Sequence, residues 1–383
     1  MSRALTERIQ NAIADTGGAL RFDAFMQLAL YEPGLGYYAG GARKFGAQGD
    51  FVTAPELGGL FAATLARSLA AVLEASGGEE IVELGAGSGA FAADCLVALD
   101  AIGAPCARYW IVEPSAELRV RQQALVAQRC GELAERVEWV AVPPRVRGVI
   151  FANEVADALP VRRAGRRDGV LVEWGVVAAG AGFAWHALAP DAPLAAALDE
   201  LASWTADWPD GYMTEIPLWL GPWLATLSDA LEAGAILLVD YGTDRADYYR
   251  AERGRGTLRC QRRHRVHDDP FVEMGDTDIT ADVEFTTLAN AGLAHGLDLA
   301  GYTTQANFLL ASGLDQVCMQ AMSAANGDTA RLKLAQEMKT LTLPGEMGER
   351  FKAMAFTRGI EPRLAGFGRR DLRDRLGTVV APR

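Results

Sequence analysis

The chain has 383 residues, half of them apolar, which is enough to bury the core of one large α/β domain with additions, or of two domains, and argues against disorder over most of its length. With 49 acidic against 37 basic residues the formal net charge is −12. That balance speaks against a general nucleic-acid binder, which needs a basic face to neutralise phosphate, and suits a cationic substrate, although it is also an ordinary guard against aggregation.

The chain opens on an amphipathic pattern, Leu5, Ile9 and Ile13, without the continuous apolar run of a signal peptide. A second helical pattern runs through Phe22, Phe25, Met26 and Ala29 and stops at Glu32-Pro33-Gly34. The glycine-rich stretch from Leu35 to Glu56 is too irregular for a helix or a long strand, and a loop of that length generally serves a site. A helix from about Leu57 to Glu74 is expected next. From Glu79 onward strands alternate with helices: strands at Ile81–Leu84, Tyr109–Glu113, Val137–Val140, Gly148–Asn153 and Ala235–Asp240, with helices after Gly89 and from Ala116 to Cys130. This order predicts an α/β fold, a Rossmann-like parallel sheet with helices on both faces. Three regions follow from it: an N-terminal helical and lid region, 1–75; an α/β core, 76–300, with an insertion at about 161–218; and a helical C-terminal extension, 301–383, forming a smaller lobe. Within the insertion, Val161 to Ala189 reads as a hairpin and Pro193 to Trp204 as a helix.

Glu83-Leu84-Gly85-Ala86-Gly87-Ser88-Gly89 lies where a buried strand turns into a helix. Glycines there permit a tight turn and a close approach of backbone to ligand, and the helix start offers free N–H groups. Gly85, Gly87 and Ala90 also satisfy a loose dinucleotide pattern, so the loop alone leaves two cofactors open. Two acids favour S-adenosylmethionine. Glu83, just before the glycines, would repel a pyrophosphate but can order the loop and attract the ammonium of a bound amino acid. Glu113, at the end of the next strand, can accept hydrogen bonds from both ribose hydroxyls, with Pro114 and Ser115 turning the chain into the following helix. Ligands of an open α/β sheet collect beyond the C-terminal strand ends, and the fourth strand delivers Asn153, Glu154 and Asp157 there. A methyl acceptor must be held in line and must lose one proton. Glu154 and Asp157 suit the orientation of a cationic nitrogen and the withdrawal of that proton, while Asn153 suits positioning of the nucleophile or the cofactor.

Four blocks, Gly49–Glu56, Val82–Gly89, Asn153–Pro160 and Val239–Gly242, together with Gly275–Phe285 and Pro344–Lys352, resemble the successive motifs of the MidA family. That family contains the mitochondrial complex I assembly factor that methylates protein arginine. The resemblance implies a class I methyltransferase fold, S-adenosyl-L-methionine as cofactor and a protein substrate, with a respiratory complex I subunit as the implied partner. It further implies that Thr53, Pro55 and Glu56 close over the cofactor and that Asp240 and Tyr241 line the substrate rim. It departs at Gly58-Gly59, where the family usually carries a small hydroxyl residue.

The remaining features are expected to be structural. Five scattered cysteines without a CxxC pair read as reduced core thiols. Cys260, His264 and His267 lack metal-site spacing, and no metal is expected. Arg162, Arg163, Arg166 and Arg167 read as a solvated hairpin end, and Trp204, Trp208, Trp219 and Trp223 as packing anchors. No apolar run is long enough to span a bilayer, so a cytoplasmic enzyme with neither nucleic acid nor membrane as partner is expected. The competing functions are a methyltransferase for a small molecule and a cofactor-binding assembly chaperone without turnover.

Overall fold

A computed structural model describes residues 3–39, 53–263, 265–361 and 364–377. Its centre is a sheet whose main path has seven strands: β1 (Glu80–Leu84), β2 (Arg108–Val112), β3 (Val137–Val140), β4 (Val146–Asn153), β5 (Leu231–Thr243), β6 (Asp298–Thr304) and β7 (Phe351–Arg358). The spatial order is β3-β2-β1-β4-β5-β7-β6, parallel except for β7, which runs antiparallel to both of its neighbours. Order reverses between β1 and β4, and a crevice opens beyond the carboxyl ends of strands at such a point. The expected α/β architecture is thus present.

Both faces are covered because the central strands alternate two apolar sets. Ile81, Tyr109, Val149, Phe151, Leu237 and Val239 join the core under the helices Leu60–Ser76 and Ala90–Ala101. Val82, Ile150, Ala152, Ile236 and Leu238 join the opposite core, under Leu220–Ala230 and Phe285–Ala294. A strand buried on both faces reads as a continuous apolar run, which is why β4 and β5 were legible in the sequence.

The flanking regions differ from their sequence pattern. The tail is only partly helical: β6 and β7 belong to the central sheet, with β7 paired to β5 from Gly234–Arg358 to Tyr241–Phe351. These strands carry Thr and Gly among their apolar residues, which masked their period. The segment read as a hairpin holds three strands, Arg162–Arg167, Val170–Ala179 and Gly182–Leu188, joined by Met213–Ile216. The two-residue strand Leu20–Arg21 pairs with the same sheet, so N-terminal residues Leu5, Ile9, Phe22 and Phe25 share one core with Val176 and Phe183 of the insertion. Arg162 and Arg163 are not solvated: both are buried, paired with Glu173 and with Glu215 (3.1 Å) respectively. The five cysteines are buried and unpaired, and Trp208 stacks on Tyr212 at 4.4 Å in a core of the insertion, whereas Trp219 is largely exposed. Among the described residues no helix is long and apolar enough to cross a membrane.

The helix expected from Leu57 is broken. A short helix, Ala54–Leu57, ends at Gly58, and the long one starts at Leu60. Glu337, from the helix Asp328–Thr342 in the tail, accepts a 2.7 Å hydrogen bond from the Leu60 N–H and is buried there. A Cβ on Gly58 would lie 2.1 Å from Glu337 Oε2. The helix start is therefore capped from a distance by a carboxylate, which explains the absence of a local hydroxyl at Gly58-Gly59. Glu337→Ala is expected to cost about 1–2 kcal/mol of unfolding free energy in urea titration. Gly58→Ala should cost a similar amount by displacing the same carboxylate, and the double variant should lose less than the sum, because both changes remove one contact.

Candidate active site

The loop after β1 takes its shape from three residues in the left-handed region, Gly85 (φ +62°), Gly87 (φ +56°) and Gly89 (φ +87°). At Gly85 the requirement is double, since a Cβ would also sit 2.8 Å from Val155 Cγ2. The glycine loop is in this way seated directly on the turn that follows β4. Below it, the buried Glu83 accepts a 2.8 Å hydrogen bond from the Tyr109 hydroxyl of β2. Burial pushes the Glu83 carboxyl up to about 8 against the effect of that bond. Glu83 is therefore tied to β2 within the core, just before the loop.

Glu113 follows β2 and is also buried. Its Oε1 accepts the Ser115 N–H at 2.8 Å, and its Oε2 accepts the Gln122 side-chain amide at 3.1 Å. Ser115 caps the helix Ala116–Cys130, accepting from the Leu118 N–H, and Pro114 stands between acid and cap. On the other side of the loop Glu56 accepts a hydrogen bond from the Ser88 hydroxyl. Thr53 and Pro55 belong to the same short segment: Thr53 precedes the helix Ala54–Leu57, and the adjoining Ala54 backbone bonds to the Glu154 carboxylate. The part of the Gly49–Glu56 block before Thr53 lies outside the described residues.

The turn after β4 carries the second half of the site. Asn153 is paired with Val239 of β5, and Glu154, at φ +53°, is one of few non-glycine residues in the left-handed region. Such a conformation costs of order 1–3 kcal/mol and persists only where neighbours impose it. Here the Glu154 N–H donates to the Val239 carbonyl at 2.9 Å. Asp240 then accepts the N–H groups of Val155, Ala156 and Asp157 on Oδ2, at 3.2, 2.9 and 3.2 Å, and that of Tyr241 on Oδ1 at 2.8 Å. Those four backbone donors make Asp240 the support of the turn, whereas the family resemblance placed it on the substrate rim. Tyr241 does touch the acidic pair: it hydrogen-bonds Asp157, and the Arg350 guanidinium lies over its ring at 4.7 Å.

The electrostatics are those of a crowded anionic cluster. Burial and the neighbouring Asp157 charge push Glu154 up to about 8, opposed by a 3.2 Å hydrogen bond from Asn153. Burial raises Asp157 to about 6, with the Tyr241 bond opposing. Asp240 is raised as well, by burial and by the charges of Asp157 and Glu154. Asn153 Oδ1 and Asp157 Oδ1 are buried and have no hydrogen-bond partner among the described residues. Both are acceptors, so at these two atoms a hydrogen-bond donor is wanting among the described residues.

Sequence reasoning missed the wall of this cluster. Tyr31 donates to the Ala158 carbonyl at 2.9 Å, Tyr38 donates to Asp278 Oδ1 at 2.9 Å, and the two rings stack with centroids 5.5 Å apart. The strand Asp278–Thr280 is held alongside by the Ala281 N–H, which donates to the Asp157 carbonyl at 3.0 Å. Asp278 lies inside the block Gly275–Phe285, but nothing local links it to Tyr38, 240 positions away. Of the residues weighed as a metal site, Cys260 is buried in the strand Arg259–Arg262 and His264 lies outside the described residues.

A family model described as "Putative S-adenosyl-L-methionine-dependent methyltransferase" matches residues 64–303, well over half of the chain. The chain belongs to this family. The methyltransferase is 41% identical to a Burkholderia thailandensis protein crystallised with S-adenosyl-homocysteine, with a TM-score of 0.91, over 97% of this chain and 96% of that one. It is 27% identical to "Protein arginine methyltransferase NDUFAF7, mitochondrial" of Danio rerio, over 92% of this chain and 86% of that protein. The protein of the same name from Homo sapiens is also 27% identical, over 88% and 80%. The cofactor is S-adenosylmethionine, and the glycine cradle that a Cβ would fill fits it.

Two outcomes are expected from this geometry. Glu83 and Glu154 (4.5 in the unfolded chain, about 8 when folded) and Asp157 (3.8 to about 6) make the folded protein hold more protons than the unfolded chain. Stability of the ligand-free protein should therefore fall as pH rises from about 4.5 to about 8 in urea titrations, and Glu154→Gln should flatten that slope. Asp240→Asn should lower stability by about 1–3 kcal/mol through mismatched backbone donors. It should also abolish methyl transfer while calorimetry shows S-adenosyl-homocysteine binding within a few-fold of wild type.

Proposed function

We propose that the methyltransferase acts on a guanidinium nitrogen of a protein arginine, with Glu154 and Asp157 orienting the acceptor. The observation that carries this reading is the pairing of raised, crowded carboxylates with buried acceptor atoms on Asn153 and Asp157 that lack donors. A guanidinium brings five N–H donors in a planar fork and a permanent positive charge, which answers both deficits at once. The Danio rerio and Homo sapiens relatives, named as protein arginine methyltransferases, support the same acceptor class, and a respiratory complex I subunit is the partner that the family resemblance implies.

When bound, the cofactor supplies a methyl group made electrophilic by its sulfonium. In the proposed arrangement Glu83 orders the loop formed by Gly85, Gly87 and Gly89, Glu113 receives the ribose hydroxyls beside Pro114 and Ser115, and Thr53, Pro55 and Glu56 cover the cofactor. Asn153 stands between cofactor and acceptor. Glu154 takes the proton that the acceptor nitrogen releases on forming its bond to carbon, so the acceptor keeps a single positive charge. Burial makes the Glu154 carboxylate a stronger base than an exposed one, and the positive charge of a bound guanidinium favours its ionised form, so Glu154 is readied as proton acceptor by the guanidinium's arrival. Its strained backbone is held by Val239 and Asp240, which fixes the carboxylate before any acceptor arrives.

The test is incubation of the purified protein with methyl-labelled cofactor and a lysate from cells lacking it, followed by separation and mass spectrometry. A labelled protein band that yields methylarginine on digestion is expected, and Glu154→Ala should reduce labelling by more than about 100-fold with cofactor affinity retained. Label confined to small molecules would replace this reading with small-molecule methylation. Absence of any turnover with cofactor binding intact would favour a non-catalytic assembly role.

A further inference from the structure

The helix Ala116–Cys130 buries Leu118, Gln122, Val126 and Cys130, four positions spaced by four, and one of them is an amide with no solvent exposure. A buried glutamine must satisfy both N–H donors and its carbonyl oxygen. Trp139 of β3 settles its orientation. An indole N–H can only donate, and it lies 2.9 Å from Gln122 Oε1, so the oxygen faces β3 and the nitrogen faces away. That nitrogen donates to the Gly87 carbonyl at 3.0 Å and to Glu113 Oε2 at 3.1 Å. Gly89 packs against the same side chain, a Cβ there lying 3.3 Å from its Cα, Cβ and Cγ. One amide thus ties the middle of the glycine loop to the carboxylate that follows the next strand.

We propose that Gln122 is a positioning residue that sets recognition of the cofactor's ribose hydroxyls, holding Glu113 and the glycine loop at a fixed separation through an amide whose direction Trp139 imposes. The proposal rests on the reading that Glu113 receives those hydroxyls. Gln122 itself touches protein only. Its effect reaches the ligand through the rotamer of Glu113. A carboxylate fixed in advance accepts two hydroxyls without first giving up its own rotational freedom, whereas a loose one forfeits most of that gain. Leucine at this position keeps the volume of the side chain, removes all three hydrogen bonds and leaves the indole N–H, the Gly87 carbonyl and one carboxylate oxygen without this partner.

The experiment is calorimetric titration of the full chain with S-adenosyl-homocysteine and with its 2′,3′-dideoxyribose analogue, with thermal unfolding recorded for each variant. Wild type is expected to prefer the intact ribose by at least on the order of 100-fold, the loss expected when hydrogen bonds to a charged carboxylate go unmade. In Gln122→Leu that preference should fall below about ten-fold, with affinity for the dideoxy analogue unchanged within about two-fold. Trp139→Phe, which leaves the amide in place but frees its orientation, should lie between the two. A full preference retained in Gln122→Leu overturns the proposal. Equal losses for both ligands also overturn it, since they mark a merely structural glutamine. A wild-type protein that does not distinguish the two ligands would instead remove Glu113 from ribose recognition.

Discussion

Everything at the mouth of this sheet depends on how β4 ends. The chain must leave the strand through Glu154 in a left-handed conformation and then turn sharply through Val155, Ala156 and Asp157. A buried carboxylate on the neighbouring strand makes that possible by receiving three successive backbone N–H groups on a single oxygen of Asp240. Without it, buried donors would be left unpaired at a cost of about 1–3 kcal/mol each, enough to reopen the turn. With it, the turn presents Asn153, Glu154 and Asp157 together and offers Val155 as the surface on which Gly85 packs.

The two halves of the site are consequently not independent. In the proposed function the cofactor half is organised around Glu113 and the glycine loop and the acceptor half around Glu154 and Asp157, and the short segment from Thr53 to Leu57 is joined to each. Glu56 reaches the glycine loop through Ser88, and Ala54 reaches Glu154 through its backbone. The same segment leads to a long helix whose start is held by Glu337 from the tail. The tail, the segment Thr53–Leu57 and the turn after β4 are linked through directed hydrogen bonds whose geometry tolerates little displacement.

The insertion and the N-terminal region serve the site as a single body. Leu20–Arg21 adds to the inserted sheet, and aromatic residues Phe22, Phe25, Phe183 and Trp185 interlock beneath it. This body brings Tyr31 and Tyr38 to the acidic cluster, where their hydroxyls are committed to Ala158 and Asp278 and their rings supply an apolar wall. A flat aromatic wall beside carboxylates suits a planar cation, which can stack and pair at once.

The central α/β architecture was legible in the sequence because it is written in local periodicity: buried runs for β1, β4 and β5, glycines where the backbone turns, acids at strand ends. The same signals put Gly85, Glu113, Asn153 and Glu154 at the carboxyl ends of β1, β2 and β4, where the structure has them. What they could not reveal were contacts between distant positions. The pairing of β7 between β5 and β6, the capping of Leu60 by Glu337, the burial of Arg162 and Arg163 in ion pairs and the approach of Tyr38 to Asp278 all join segments with no shared pattern. Gln122 left a trace, a polar residue in an apolar stripe, yet its meaning required Trp139 and Glu113 in place. Local sequence determined which backbone each segment adopts and which chemistry it carries. Tertiary structure alone decided which carboxylates are buried together, because desolvation and hydrogen-bond satisfaction are properties of surroundings that the chain assembles only on folding.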